Sequence, residues 1–66
     1  MISEEEKFFV SSGMAKFGGS FAKALGNALA CADPDNTRRI KEAFPECWKK
    51  YLKMGKIDNE REQAGE

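Results

Sequence analysis

The side chains with chemistry to offer are few: Cys31 and Cys47, the acidic turn Asp33-Pro34-Asp35-Asn36, and a set of cations at Arg38, Arg39, Lys41, Lys49, Lys50, Lys53 and Lys56. There is no histidine, so the residue that supplies a base near neutral pH is missing and most enzyme templates go with it. A cysteine nucleophile needs surroundings that favour the thiolate. Cys31 falls in an alanine-rich helix end and Cys47 stands beside Trp48, which predicts packing thiols, free and mostly buried; a bridge between them is the alternative left open. Two cysteines fall short of the four ligands of a structural zinc site. Asp33-Pro34-Asp35-Asn36 has the outline of a calcium loop, but Thr37 takes the next ligand position and Arg38 the place of the glycine, and helix capping accounts for the acids. The expectation is a protein that is not an enzyme, with no catalytic residue, no metal and no cofactor.

Arg38, Arg39 and Lys41, with Lys49, Lys50, Lys53 and Lys56, could face phosphates, and Trp48 or Tyr51 could stack a base if exposed. Against this, cations in the later turns of helices complement the dipole and solvate the outer face. The whole chain is neutral, with 11 basic and 11 acidic residues, whereas nonspecific nucleic-acid binding needs many uncompensated cations. The charge is laid out in blocks. Residues 45–56 are basic and 57–66 acidic.

These groups must be held by short helices. Ser3 with Glu6 is a capping-box pattern, and Glu4, Glu5 and Glu6 suit a helix N-terminus, so a first helix is predicted over about 3–11, ending or kinking at Ser11-Ser12-Gly13. A second is predicted over 14–32, where Phe17, Phe21, Leu25 and Leu29 repeat every four residues beside a small row of Gly18, Ala22, Gly26 and Ala30. Glycines cost about 1 kcal/mol each inside a helix. Their presence points to close approach of another helix along the small row, or else to a turn at Gly18-Gly19 with the helix starting at Ser20. Asp33 as cap and Pro34 at the first helical position predict a third helix over 34–43. Pro45 pushes Phe44 out of helical geometry and opens a fourth over 45–54, with Gly55 as its stop.

The fold class expected is therefore all-α: a small bundle of three to four short helices forming one domain over 1–55, with a polar, flexible tail over 56–66. One valine and three scattered isoleucines leave nothing to build a strand. The expected core is Phe8, Met14, Phe17, Phe21, Leu25, Leu29, Ile40, Phe44, Trp48, Tyr51 and Leu52, with the Phe17–Leu29 ridge closing on Ile40, Phe44 and Trp48. A 66-residue chain buries only about 60% of its surface, so a dimer or permanent partner would relieve a thin core.

The N-terminus is acidic and no apolar run approaches a membrane span, which predicts a cytoplasmic protein. Met14 to Gly26 taken alone has the look of a membrane-active amphipathic helix, but neutral charge and the Trp-containing C-terminal half favour a domain that buries this face, with no membrane partner.

The stretch Ala24 to Gly55 resembles a group of small proteins of gut-bacterial phages and other mobile elements for which no function is established. The resemblance lies in Ala32-Asp33, Asn36, Ile40-Lys41 and Ala43-Phe44-Pro45-Glu46 followed by Trp48 and Tyr51, and it covers about half the chain. The group carries tyrosine where this chain has Cys47, which would make that thiol incidental. The resemblance implies a mobile-element setting in a bacterial host cell and brings no site residues. The expected function is binding, and in that setting inhibition, of a host protein, as small anti-defence proteins such as anti-CRISPRs do. The expected contacts are the small row Gly18, Ala22 and Gly26, or the aromatic and basic face with Arg38, Arg39, Trp48, Lys49, Lys50, Tyr51 and Lys53. A nucleic-acid accessory protein and a self-assembling subunit, such as a homodimer, are the alternatives.

Overall fold

The Ser3 hydroxyl accepts from the backbone N–H of Glu6 at 3.0 Å, and three glutamates occupy the turn that follows, so the first helix starts where its cap and dipole favour it. A computed structural model describes residues 2–64, and over these the chain is four helices: α1 Glu4–Phe17, α2 Ser20–Ala30, α3 Pro34–Ala43 and α4 Pro45–Ala64. No strand occurs among the described residues, and none of these helices is long and apolar enough to cross a membrane.

The helix starts follow local chemistry. Asp33 accepts from the Asn36 N–H at 2.7 Å and Pro34 takes the first position of α3. Phe44, at φ −129° and ψ 61°, breaks the path, and Pro45 opens α4. Between α1 and α2 the chain turns at Gly18 and Gly19, both extended, and Gly19 caps α2 without a side-chain hydrogen bond. Both expectations for this segment are met: the chain turns at Gly18-Gly19, and Ala22 and Gly26 farther along the small row lie close against α1.

Two expected helix ends are absent. α1 runs straight through Ser11-Ser12-Gly13, where the Ser11 hydroxyl bonds back to the Phe8 carbonyl at 3.2 Å. α4 runs through Gly55 and continues to Ala64, so residues 56–64 of the expected loose tail are helical; positions 65 and 66 lie outside the described residues. Packing overrides local propensity at both glycines. A methyl group on Gly13 would lie 2.5 Å from the Tyr51 carbonyl oxygen, and one on Gly55 would overlap the Phe9 carbonyl. Here α1 and α4 cross nearly backbone to backbone. Farther along, Lys16 of α1 reaches Asp58 at 2.6 Å and Glu62 at 2.7 Å, tying the extra turns of α4 down; these two carboxylates, Asp58 first, hold the Lys16 ammonium well above the ordinary lysine range.

α1 lies between α2 and α4, and α3 touches the rest more lightly. The core is Phe9, Val10, Met14, Ala22, Leu29, Trp48 and Tyr51. Val10, Met14 and Leu29 are fully enclosed and contribute about 1.5–3 kcal/mol each. The expected ridge does not form. Leu29 is buried and Leu25 half-buried, but Phe17 is 47% and Phe21 61% exposed, because the turn at Gly18-Gly19 cuts the row and α2 meets α1 through Ala22, Gly26 and Leu29 instead. Phe8 is likewise outside while Phe9 and Val10 are inside, and Phe44 keeps 36% of its surface accessible.

The crossing predicts a sharp contrast between glycines. Gly55→Ala should lower stability by about 1–3 kcal/mol, since only backbone could make room. Gly19→Asp, where an added Cβ meets nothing within 4 Å, should raise stability by up to about 1 kcal/mol by capping α2. Thermal unfolding measures both; a loss under about 0.5 kcal/mol at Gly55 would mean the crossing relaxes freely.

Candidate interaction surface

The expected contact residues divide: Ala22, Gly26, Trp48 and Tyr51 are consumed by the fold, Gly18 is half-buried, and the five cations stay outside. Ala22 and Gly26 are buried in the seam between α2 and α1, where a Cβ on Gly26 would lie 2.9 Å from that of Met14 and 3.1 Å from the Ser11 carbonyl oxygen. Gly18 is half-buried in the turn, its open side facing Ala22 and the Met14 carbonyl. The small row does serve close helix approach, but within the molecule. Trp48 is 1% and Tyr51 7% exposed, so neither ring can stack on a base.

The cations remain outside, on separate faces. Arg38 sits between Asp35 at 3.4 Å and Glu42 at 3.5 Å, along a cleft of about 960 Å³ between the start of α1 and α3. Thr37 lies in the floor of that cleft, 3% exposed, with a hydroxyl that has no hydrogen-bond partner among the described residues. Arg39 is exposed and lines a different recess, a groove between α2 and α3. Lys49, Lys50 and Lys53 are exposed along α4 with Lys56, and none of the four is in an ion pair among the described residues. The Lys50 ammonium lies 5.3 Å from the Tyr51 ring centre.

The α2–α3 groove is the surface that spacing alone did not single out. About 420 Å³ in volume, it is lined by Ala28, Cys31, Ala32, Ile40, Ala43 and Phe44, with Asn36 and a single charged residue, Arg39. At its edge Phe21 meets Phe44 edge to face, ring centres 5.6 Å apart, with Phe21 largely and Phe44 partly open to solvent. Cys31 is exposed and Cys47 half-buried, both as free thiols, so the expected burial fails for Cys31. The missed signal is that the seam with α1 is set by Ala22, Gly26 and Leu29, which turns the start of the large row, Phe21, outward while its end stays inside.

One polar joint fixes α1, α3 and α4 relative to each other. The Glu6 carboxylate accepts from Trp48 Nε1–H at 2.8 Å and from Lys41 Nζ at 3.1 Å, and the Lys41 ammonium also lies 5.7 Å from the Trp48 ring centre. Lys7 donates to the Ala32 carbonyl at 2.6 Å and holds the α2–α3 turn against α1. The Trp48 hydrogen bond, and after it Lys41, keep the Glu6 carboxyl below its ordinary value of 4.5 against the opposing effect of partial burial.

A depressed folded-state value means that the Glu6 contribution is complete above the unfolded-state value and is lost as pH falls through the folded one, below 4.5. Glu6→Gln should therefore flatten stability against pH in this acid range while keeping an acceptor for Trp48. Glu6→Ala leaves the buried indole N–H unpaired and should cost about 1–3 kcal/mol at neutral pH. Urea melts at several pH values check both, and parallel profiles for wild type and Glu6→Gln would remove Glu6 from the acid dependence. No family model matches this chain, and neither curated proteins nor solved structures provide a match, so its function has to be argued from these surfaces.

Proposed function

We propose that the protein is a non-enzymatic binding module that docks another protein through the α2–α3 face. The observation that carries this reading is the exposed aromatic pair of Phe21 and Phe44 beside an apolar groove, in a molecule whose own core is made of smaller seams. Exposed apolar patches on small proteins mark contact sites, and aromatic and arginine side chains are the groups that interfaces favour. Arg39 supplies the arginine here. In the mobile-element setting suggested by the resemblance of Ala24 to Gly55, the partner would be a host protein and the effect inhibition by occlusion of its surface.

A second reading has its own observation. Lys49, Lys53 and Lys56 fall at i, i+4 and i+7 of α4 with Lys50 beside them, giving a cationic stripe free of ion pairs among the described residues. With Trp48 and Tyr51 enclosed, such a stripe would meet a nucleic acid through its phosphates and not its bases, and binding through four lysines would carry a log–log salt slope of about −3 to −4 on duplex DNA.

Capture from the native host with wild type and with a Phe21→Ser/Phe44→Ser double variant tests the first reading. A retained protein lost with the variant, while the variant keeps its helicity, is the expected result; identical retention by the two would sink the reading. Anisotropy of labelled duplex DNA at two salt concentrations tests the second, which predicts weakening with salt and loss on Lys49→Ala/Lys53→Ala.

A further inference from the structure

The cleft between the start of α1 and α3 is larger than the α2–α3 groove and differs from it in make-up. Its volume of about 960 Å³ falls in the range of about 300–1,000 Å³ that holds small organic ligands. Ile2, Pro34 and Pro45 give it a wall without polar side-chain atoms. In its floor Thr37, 3% exposed, keeps a hydroxyl that has no partner among the described residues. Native structures leave few buried hydroxyls unpaired, and each one calls for something to account for it. Thr37 comes one turn after Pro34 and one turn before Lys41, and both of these line the cleft, so its side of α3 is the cleft wall. A helical threonine divides between two rotamers, one of which bonds its hydroxyl to a carbonyl one turn back. Among the described residues that bond is not made, which leaves the hydroxyl able to turn toward a ligand.

Charge decides what kind of molecule fits. Lys7, Arg38 and Lys41 line the cleft together with Glu4, Asp35 and Glu42, so its basic and acidic side chains balance. Each cation already has an acceptor: the Ala32 carbonyl for Lys7, Glu6 for Lys41, and Asp35 with Glu42 for Arg38. An ionic ligand therefore meets no net counter-charge, whereas a neutral one has less hydration to lose on entering. Cations around an apolar wall favour an aromatic body over an aliphatic one, because a ring face attracts positive charge. The Thr37 hydroxyl asks for one hydrogen-bonding group on that body. We propose that the cleft is a binding site for a neutral aromatic alcohol of the phenol class, its ring against Ile2, Pro34 and Pro45 and its hydroxyl paired with that of Thr37. A phenol, with a pKa of about 10, is neutral at physiological pH. The site lies apart from the α2–α3 face and does not depend on that face docking protein.

p-Cresol titrated into the isotope-labelled chain should shift the amide signals of Thr37 and of Ile2 to Lys7 with a Kd of about 1 mM, the strength expected of so small a molecule. Toluene, the same ring without the hydroxyl, should bind about 2- to 10-fold more weakly, the worth of one hydrogen bond. Thr37→Val should erase that difference and melt no lower than wild type, since the hydroxyl it loses has no partner among the described residues. Phe21→Ser, on the other face, should leave p-cresol binding unchanged. N-Acetyltyrosinamide carries the same phenol: tighter binding than p-cresol assigns the ring to a tyrosine of a polypeptide, and weaker binding assigns it to a free small molecule. Absence of shifts with p-cresol in the millimolar range, shifts confined to residues outside the cleft, or a preference over toluene that survives Thr37→Val overturns the proposal. So does a marked loss of stability in Thr37→Val, which would give the hydroxyl a structural bond instead.

Discussion

The fold depends on two helices meeting without side chains between them. Gly13 of α1 and Gly55 of α4 each lie where an added methyl would run into the other helix's backbone, and Gly26 brings α2 almost as close on another side of α1. Glycines in a helix are unfavourable by about 1 kcal/mol each relative to alanine. Three of them persist because close packing along both seams outweighs that loss. With the seams so narrow, the enclosed space is filled by Val10, Met14, Leu29 and the flat ring of Trp48, which the Glu6 carboxylate holds at its nitrogen.

The same constraint decides what goes outside. The seams leave room for one phenyl ring only among the described residues, that of Phe9 at the α1–α4 crossing, and Phe8, Phe17, Phe21 and Phe44 lie outside although they are among the most apolar residues of the chain. Phe21 and Phe44 recover part of the loss by meeting each other, an edge-to-face contact of about 0.5–1.5 kcal/mol. The exposed aromatic face and the glycine seams are thus one design seen from two sides. Opening the seams to admit the rings would forfeit the α1–α4 crossing.

Much of the architecture was legible in the residues. Ser3, Asp33 and Pro34 are capping signals whose chemistry is local, and the helices begin where those signals say. Phe44 before Pro45 marked the break for the same reason, and Gly18-Gly19 marked a turn as one of two options. The failures came where distant contacts decide. Gly13 and Gly55 read as helix ends because a glycine's usual local meaning is a stop; that each has a partner backbone in a remote part of the chain is invisible from spacing. The four-residue row of Phe17, Phe21, Leu25 and Leu29 has the periodicity of a core face, but periodicity gives a direction and not what lies in that direction. Arg38 and Arg39 are neighbours in sequence and, about a hundred degrees apart on α3, serve different surfaces.

A face exposed by such a constraint differs from one left by imperfect packing. A cavity or a loose ring can be improved by small changes of side chain, since the backbone around it stays put. Phe21 and Phe44 lie outside the seams at which Gly26, Gly13 and Gly55 bring the helices together, and among the described residues both keep surface open to solvent. A partner that bound the folded state through this face would also stabilise it by mass action. In a chain this short, where only a minority of the described side chains are enclosed, that linkage would tie the glycine seams to the proposed docking face, since tighter seams make a more rigid platform for whatever binds there.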